Sequence, residues 1–216
     1  MKLIASAVLV GAIMSATANA ATSTAAKPTP STGAVAAAQP TLSPGQAVVQ
    51  SMLDSVKALP AAKGNPKEQR KLLDTIDNSL ALDLIAEKSL GPQWAKLKQS
   101  ERRRFVALFT QALEKVAYPK AGVFLNDMKL SFLANVSKPD SESVRTMISK
   151  GDTMKAPLFF ELARRGTRWQ IVDVIVDGQS IAGGVEFRIQ NMVKEQGYPK
   201  LVEELQKQIA AADKAS

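Results

Sequence analysis

From Ser43 to Ala212 the hydrophobic positions recur first at helical spacing, then at strand spacing, and finally at helical spacing again. Ser43-Pro44-Gly45-Gln46 combines a capping hydroxyl, a proline at the first helical position and a glutamine three residues after the cap. Val48, Val49, Met52, Leu53, Val56 and Leu59 follow on one stripe, which predicts a helix. Asn65-Pro66-Lys67-Glu68 repeats the start signal for a second helix carrying Leu72, Leu73 and Ile76. A short third helix is predicted from Leu82 to Lys88. It stops near Gly91-Pro92, because glycine suits a helix exit and proline cannot continue one. A longer helix opens at Ser100-Glu101 and sets Phe105, Leu108, Phe109, Ala112, Leu113 and Val116 on one broad apolar face.

The period then changes to two. Met128, Leu130, Phe132, Ala134 and Val136 alternate with Lys129, Ser131, Asn135 and Ser137 and predict one strand; Ser143 to Ser149 predicts a second. A third is expected from Ala156 to Arg164 and a fourth from Arg168 to Val176, joined by a tight turn at Arg165-Gly166. Short turns between sequential strands imply an antiparallel meander. Two closing helices are expected, near Ile181 to Glu195 and from Pro199 to Ala211. The fold class is therefore α+β, a four-stranded antiparallel sheet packed with six to seven helices. Leu158-Phe159-Phe160 in the third strand, and Ile171-Val172 with Val174-Ile175-Val176 in the fourth, put apolar groups on both faces. Such a sheet implies cover on both sides. Helices on both faces or a curved sheet around a core would provide it, and so would a ligand cavity against part of one face.

The chain before Ser43 has a different character. Met1-Lys2, an uncharged apolar run to Ala16 and Ala18-Asn19-Ala20 read as a signal peptide over residues 1–20, cleaved after Ala20. That run is shorter than the roughly 20 residues that span a bilayer. Residues 21–42, dominated by Ala, Thr, Ser and Pro, read as a flexible tether, and 43–216 as one domain. The chain has no cysteine, so it lacks both disulfides and a lipid-modified cysteine and relies on its core.

Lys and Arg number 28 against 20 Asp and Glu, a net charge of +8, or +7 without Lys2. The cations are dispersed apart from Arg102-Arg103-Arg104 and Arg164-Arg165, and no aromatic-interleaved basic face of the nucleic-acid-binding kind is present. Anionic head groups or an acidic partner suit the charge better, with Arg102, Arg103, Arg164 and Arg165 as docking candidates. Histidine is absent too, which excludes Ser-His-Asp and Cys-His catalysis and imidazole or thiolate zinc sites. Asp173 and Asp177 share a strand about 13 Å apart, beyond the roughly 5–9.5 Å of glycosidase carboxylate pairs. Asp77 and Asp83 lie where helix caps would want them. Gly183-Gly184 is too short for a phosphate-cradling loop, and Arg188, set among apolar residues, is either a surface arginine or a head-group contact.

Several stretches together resemble one family. Leu82-Asp83-Leu84-Ile85-Ala86 with Ser89-Leu90-Gly91-Pro92-Gln93-Trp94 is similar to the segment before that family's long helix. Ser100 to Tyr118 resembles the helix itself. Trp169-Gln170-Ile171-Val172-Asp173-Val174 with Asp177-Gly178-Gln179-Ser180 resembles its last strand and turn, and Gly197-Tyr198 with Leu201 and Leu205 its final helix. The family is the periplasmic phospholipid-binding component of the Mla (maintenance of lipid asymmetry) pathway, also called toluene-tolerance or ABC-transporter auxiliary proteins. A hopanoid-associated branch is similar as well. Gly178-Gln179-Ser180 and Gly183-Gly184 depart from the family pattern near the expected mouth.

The resemblance implies a monomeric periplasmic shuttle that is not an enzyme and uses no cofactor. Phospholipid, or a related lipid, would be its cargo, with acyl chains in an apolar pocket between sheet and helices. Its partners would be an inner-membrane ABC lipid transporter complex and an outer-membrane lipoprotein complex, with no nucleic acid. The residues expected to line the pocket are Leu84, Phe105, Phe109, Leu113, Tyr118, Phe132, Met147, Phe160, Val172, Val174, Val176 and Ile181, about half of them touching lipid. Two other readings stay open: an interaction module with a solid core, and an enzyme using carboxylates such as Asp173.

Overall fold

The computed structural model describes residues 42–151 and 154–215. The expected leader at 1–20, and the expected tether apart from Leu42, lie outside the described residues. Helix α1 (Pro44–Ala58) opens as its sequence predicts. The Gln46 N–H donates to Ser43 Oγ at 3.1 Å, and the Ser43 N–H donates to Gln46 Oε1 at 2.9 Å. Asn65 caps α2 (Pro66–Ser79) by accepting from the Glu68 N–H at 3.2 Å. Helix α3 (Leu82–Leu90) ends at Gly91, whose φ is +52°. The same Gly91-Pro92 pair starts a further short helix, α4 (Pro92–Lys96), since proline suits a first helical position as well as it blocks a continuation.

The long helix is three pieces on one course: α5 (Gln99–Ala112), a π-helical turn (Leu113–Ala117) and α6 (Tyr118–Leu125). In the wide turn the Tyr118 N–H donates to Leu113 O, five residues back. The widening falls immediately before Pro119, which lacks the N–H that would continue the α pattern. Helices α7 (Ile181–Gln196) and α8 (Tyr198–Ala215) close the chain.

The sheet has six strands among the described residues, not the expected four. They are β1 (Lys129–Phe132), β2 (Val136–Ser137), β3 (Ser141–Lys150), β4 (Met154–Arg165), β5 (Arg168–Val176) and β6 (Gln179–Ser180). The order is β1-β3-β4-β5-β6, with β2 also paired to β3, and every pairing is antiparallel. The single strand expected from Met128 to Val136 is divided because Asn135 turns its side chain inward. Its Nδ2 donates to Glu142 Oε1 at 2.5 Å and to Ser43 Oγ at 3.2 Å. Strand β6 exists because Asp177-Gly178 form a two-residue turn with φ of +49° and +75°, which folds the chain back on β5.

One face of this sheet carries the core. Val144 and Ile148 of β3, Leu158, Phe160 and Leu162 of β4, and Ile171 and Val176 of β5 are buried against the helices. The opposite face corrects the expectation of cover on both sides. Met147, Phe159, Val172 and Ile175 are half-buried and take no part in the core, and the Arg145 guanidinium lies 5.8 Å over the Phe159 ring. Apolar residues of adjacent strands shelter one another there, so the double pattern needs no second helical layer.

Glu142, 2% exposed, ties the start of α1 to the sheet. It accepts from the Ser43 hydroxyl, the Gly45 N–H at 3.1 Å and the Asn135 amide. Glu142→Ala leaves these donors without an acceptor. Unfolding in urea is expected to show a loss of about 2 kcal/mol, and a loss under about 0.5 kcal/mol would contradict the role given to this carboxylate.

Candidate functional site

Between the inner face of the sheet and the helices the packing leaves a cavity of about 150 Å³. Leu158 and Phe160 of β4 with Ile171 and Val174 of β5 form its floor. Met52, Leu53 and Val56 of α1, Leu82 and Ile85 of α3, and Ile181 and Val185 of α7 form walls. Phe109, Leu113, Ala117, Ala121 and Leu125 line it from the α5–π–α6 rod, while Ile76 and Leu80 cover it from α2 and the residue after it. Gly122 lets α6 approach α1 there, since a Cβ at that position would lie 2.5 Å from Val56 O. Within the lining only Tyr118 and Asp173 bring polar side-chain atoms.

Six of the twelve residues expected at a pocket line this cavity: Phe109, Leu113, Tyr118, Phe160, Val174 and Ile181. The other six do not. Phe105 is fully buried beside Phe109 and Tyr198, with ring centroids 6.1 and 6.2 Å away. Val176 is also fully buried core, Phe132 packs against the core from β1, and Leu84 is half-buried outside the core on α3. Met147 and Val172 belong to the outer face. Val172 is displaced by a β-bulge: Leu162 pairs with Ile171 and Glu161 with Asp173, so Val172 is the extra residue. Simple alternation would align 172 with 174 and 176; the bulge instead brings Ile171 onto the inner face. The lining residues Met52, Leu53, Val56 and Ile76 belong to helical stripes already evident in the sequence. Leu158 shares the strand parity of Phe160, which would have identified it.

The two polar lining residues are engaged by the protein. Asp173 Oδ1 accepts from the Val174 N–H at 2.8 Å and the Ala182 N–H at 3.0 Å, and Oδ2 accepts from Ser180 Oγ at 2.6 Å. Ser180 in turn accepts from the Gly183 N–H at 2.8 Å. These contacts cap the N-terminus of α7, so the Asp173 side chain has a structural role. Asp177 stands in the turn rather than on the strand beside it.

Tyr118 belongs to a polar cluster between α2 and the π turn. Its hydroxyl donates to Asp77 Oδ1 at 3.0 Å. Arg70 of α2 reaches across to Glu114 at 2.9 Å, while also pairing with Asp74 and lying 4.0 Å from Asp77. Asp77 therefore spans two structural units and is not a helix cap. Burial, followed by the hydrogen-bonded Glu114 carboxyl, pushes its pKa from 3.8 up to about 7, against the opposing pull of Tyr118 and Arg70. Burial likewise pushes the Tyr118 hydroxyl well above its ordinary value.

Elsewhere, Arg102 stacks 5.4 Å over Trp94 and its Nε donates to Trp94 O at 3.1 Å. Asp83 accepts from Arg165 Nη2 at 2.8 Å, which holds its carboxyl below the usual range. Both arginines thus have intramolecular work, while Arg103 and Arg164 are exposed. Arg188 lies outside the cavity lining, and its Nε makes no hydrogen bond. Among the described residues no group of three or more metal-ligating side chains is assembled, and no helix is long and apolar enough to cross a membrane.

The family model described as MlaC protein matches residues 46–207. A phospholipid-binding protein from Ralstonia solanacearum, solved in complex with a phospholipid, shares the fold at a TM-score of 0.63 and 16% identity. The match covers 79% of this chain and 99% of that one. No curated protein matches the sequence.

The raised pKa of Asp77 makes stability depend on pH. The folded protein keeps this proton up to about pH 7, whereas the unfolded chain releases it above 3.8. The group's contribution is full below the unfolded value and is lost as pH rises through the folded one. Urea midpoints should therefore fall less between about pH 4 and 7 in Asp77→Asn than in the unmodified protein. Equal slopes would contradict the assignment.

Proposed function

The chain belongs to the MlaC protein family, and we propose that it is a periplasmic phospholipid carrier and not an enzyme. The observation that carries this reading is the cavity. Its wall is drawn from helices and sheet alike, it is apolar throughout save for two groups, and both of those are engaged by the protein. Such a lining offers no free acid, base or nucleophile pointed at a substrate, but it suits hydrocarbon. Each methylene withdrawn from water contributes about 0.8 kcal/mol, so acyl chains are held by their length without directional bonds. A phosphate-bearing head group would stay outside this apolar lining, in water.

The cargo would pass between an inner-membrane ABC transporter complex and an outer-membrane lipoprotein complex. The family assignment supports a transport role, and the phospholipid in the structural relative supports the choice of cargo. A carrier of this kind needs no cofactor and works as a monomer, since one chain encloses the cavity.

Native mass spectrometry followed by lipid extraction tests the proposal. The purified protein is expected to carry phospholipid, and hopanoid-linked lipid in its place would identify a different cargo. Val174→Glu should stay folded with most of its lipid lost, because the charge enters the cavity edge. Protein that is consistently lipid-free and takes none from liposomes would refute the carrier.

A further inference from the structure

A cavity of about 150 Å³ lies below the roughly 300–1,000 Å³ of ordinary ligand pockets. Well-packed walls do not stretch continuously; they shift as units between discrete arrangements. A lipid carrier with this architecture must therefore move one wall, and the anchoring of the helices indicates which. Helix α1 buries Val49, Met52, Leu53 and Val56; α5 buries Phe105, Leu108 and Phe109; α7 buries Val185, Ile189 and Met192. Helix α2 lies along α1, yet it buries only Ile76 and Ser79, with Leu72 and Leu73 half-buried against the core, although it covers the cavity. Few buried apolar contacts mean a low local free energy of opening.

The two ends of α2 are held differently. After its C-terminus the Ala81 N–H donates to Ile171 O at 2.9 Å, and the Gln170 amide donates to Asn78 O and Leu80 O at 3.2 and 3.1 Å. Its N-terminus follows a turn in which Gly64 has a φ of +91° and open space around it. Toward the π turn and α6, α2 is joined by the polar cluster described above. Arg70, whose side chain is 57% exposed, supplies the ion pair to Glu114, and Tyr118 supplies the inner bond to Asp77. Polar groups parted along such a seam exchange their partners for water at small net cost. An apolar seam would expose its area in full.

We propose that α2 is the lid through which acyl chains reach the cavity, hinged at its C-terminal attachment to β5 and latched by Arg70, Asp77, Glu114 and Tyr118. This inference rests on the carrier reading.

The cysteine-free chain makes the test direct. In Arg70→Cys/Glu114→Cys, a cleavable bis-maleimide would bridge α2 to the π turn. Transfer of fluorescent phosphatidylethanolamine between phosphatidylethanolamine/phosphatidylglycerol vesicles is then followed. The bridged protein is expected to transfer at least about tenfold more slowly than the unbridged one, with recovery when the bridge is cleaved. Equal rates with and without the bridge would overturn the lid alone. Unmodified protein that takes up no phospholipid would overturn the carrier reading and the lid with it. Hydrogen exchange on the unmodified protein supplies a second reading. The α2 amides are expected to exchange about tenfold faster than those of α1, and equal protection would overturn the lid.

Discussion

The inner face of the sheet must be kept from water, and the helical layer that does so covers it without filling every gap. Phe160, Leu158 and Ile171 present a continuous apolar floor. Helix α1 packs across β3 and β5, while the α5–π–α6 rod and α7 close further sides. Burial of this kind is non-directional and proportional to area, so it sets which surfaces meet but not how tightly each void is filled. Two local devices then decide the shape of what remains. The bulge at Val172 selects which β5 residues face inward, and the absent side chain at Gly122 brings α6 close to α1. The cavity is thus a product of the core, made by the same contacts that stabilise the fold.

Polar groups gather where the apolar wall ends. Asp173 sits at the junction of β5 and α7 and is satisfied by the amides of the helix it caps. Asp77 and Tyr118 sit at the junction of α2 with the rod, where they satisfy each other and Arg70 bridges to Glu114. Glu142 plays the corresponding part at the start of α1, away from the cavity lining. Each carboxylate secures a place where one secondary-structure element must leave another, and none is left facing the cavity without a partner. These acids are spent on the protein's own architecture, which is the arrangement the proposed carrier calls for.

Much of the fold was legible from periodicity and caps. The box at Ser43–Gln46, the start at Asn65-Pro66 and the alternation in β3 all depend on neighbours close in sequence, and the structure places them as expected. The departures share a cause, a contact made from far along the chain. Asn135 leaves its strand for Ser43, 92 residues earlier, and so divides the strand in two. Val172 was expected inward because alternation cannot register a bulge that is fixed by pairing with β4. Asp77, legible only as a helix-end residue, acquires its character from Glu114 and Tyr118 on another element. The candidate lining divides the same way. Phe109, Leu113 and Phe160 follow from a helical stripe and a strand parity, whereas the choice between Phe105 as core and Phe109 as lining depends on where α8 packs.

On the carrier reading, the void between sheet and helices takes up hydrocarbon chains. Calorimetric titration with a single-chain lysophospholipid below its micelle concentration, repeated at several temperatures, measures the heat-capacity change of that event. Transfer of a long alkyl chain from water into this lining predicts a large negative value, which should diminish when Val174→Glu charges the cavity edge. Binding whose heat-capacity change is near zero would place the lipid on the polar surface and contradict the account.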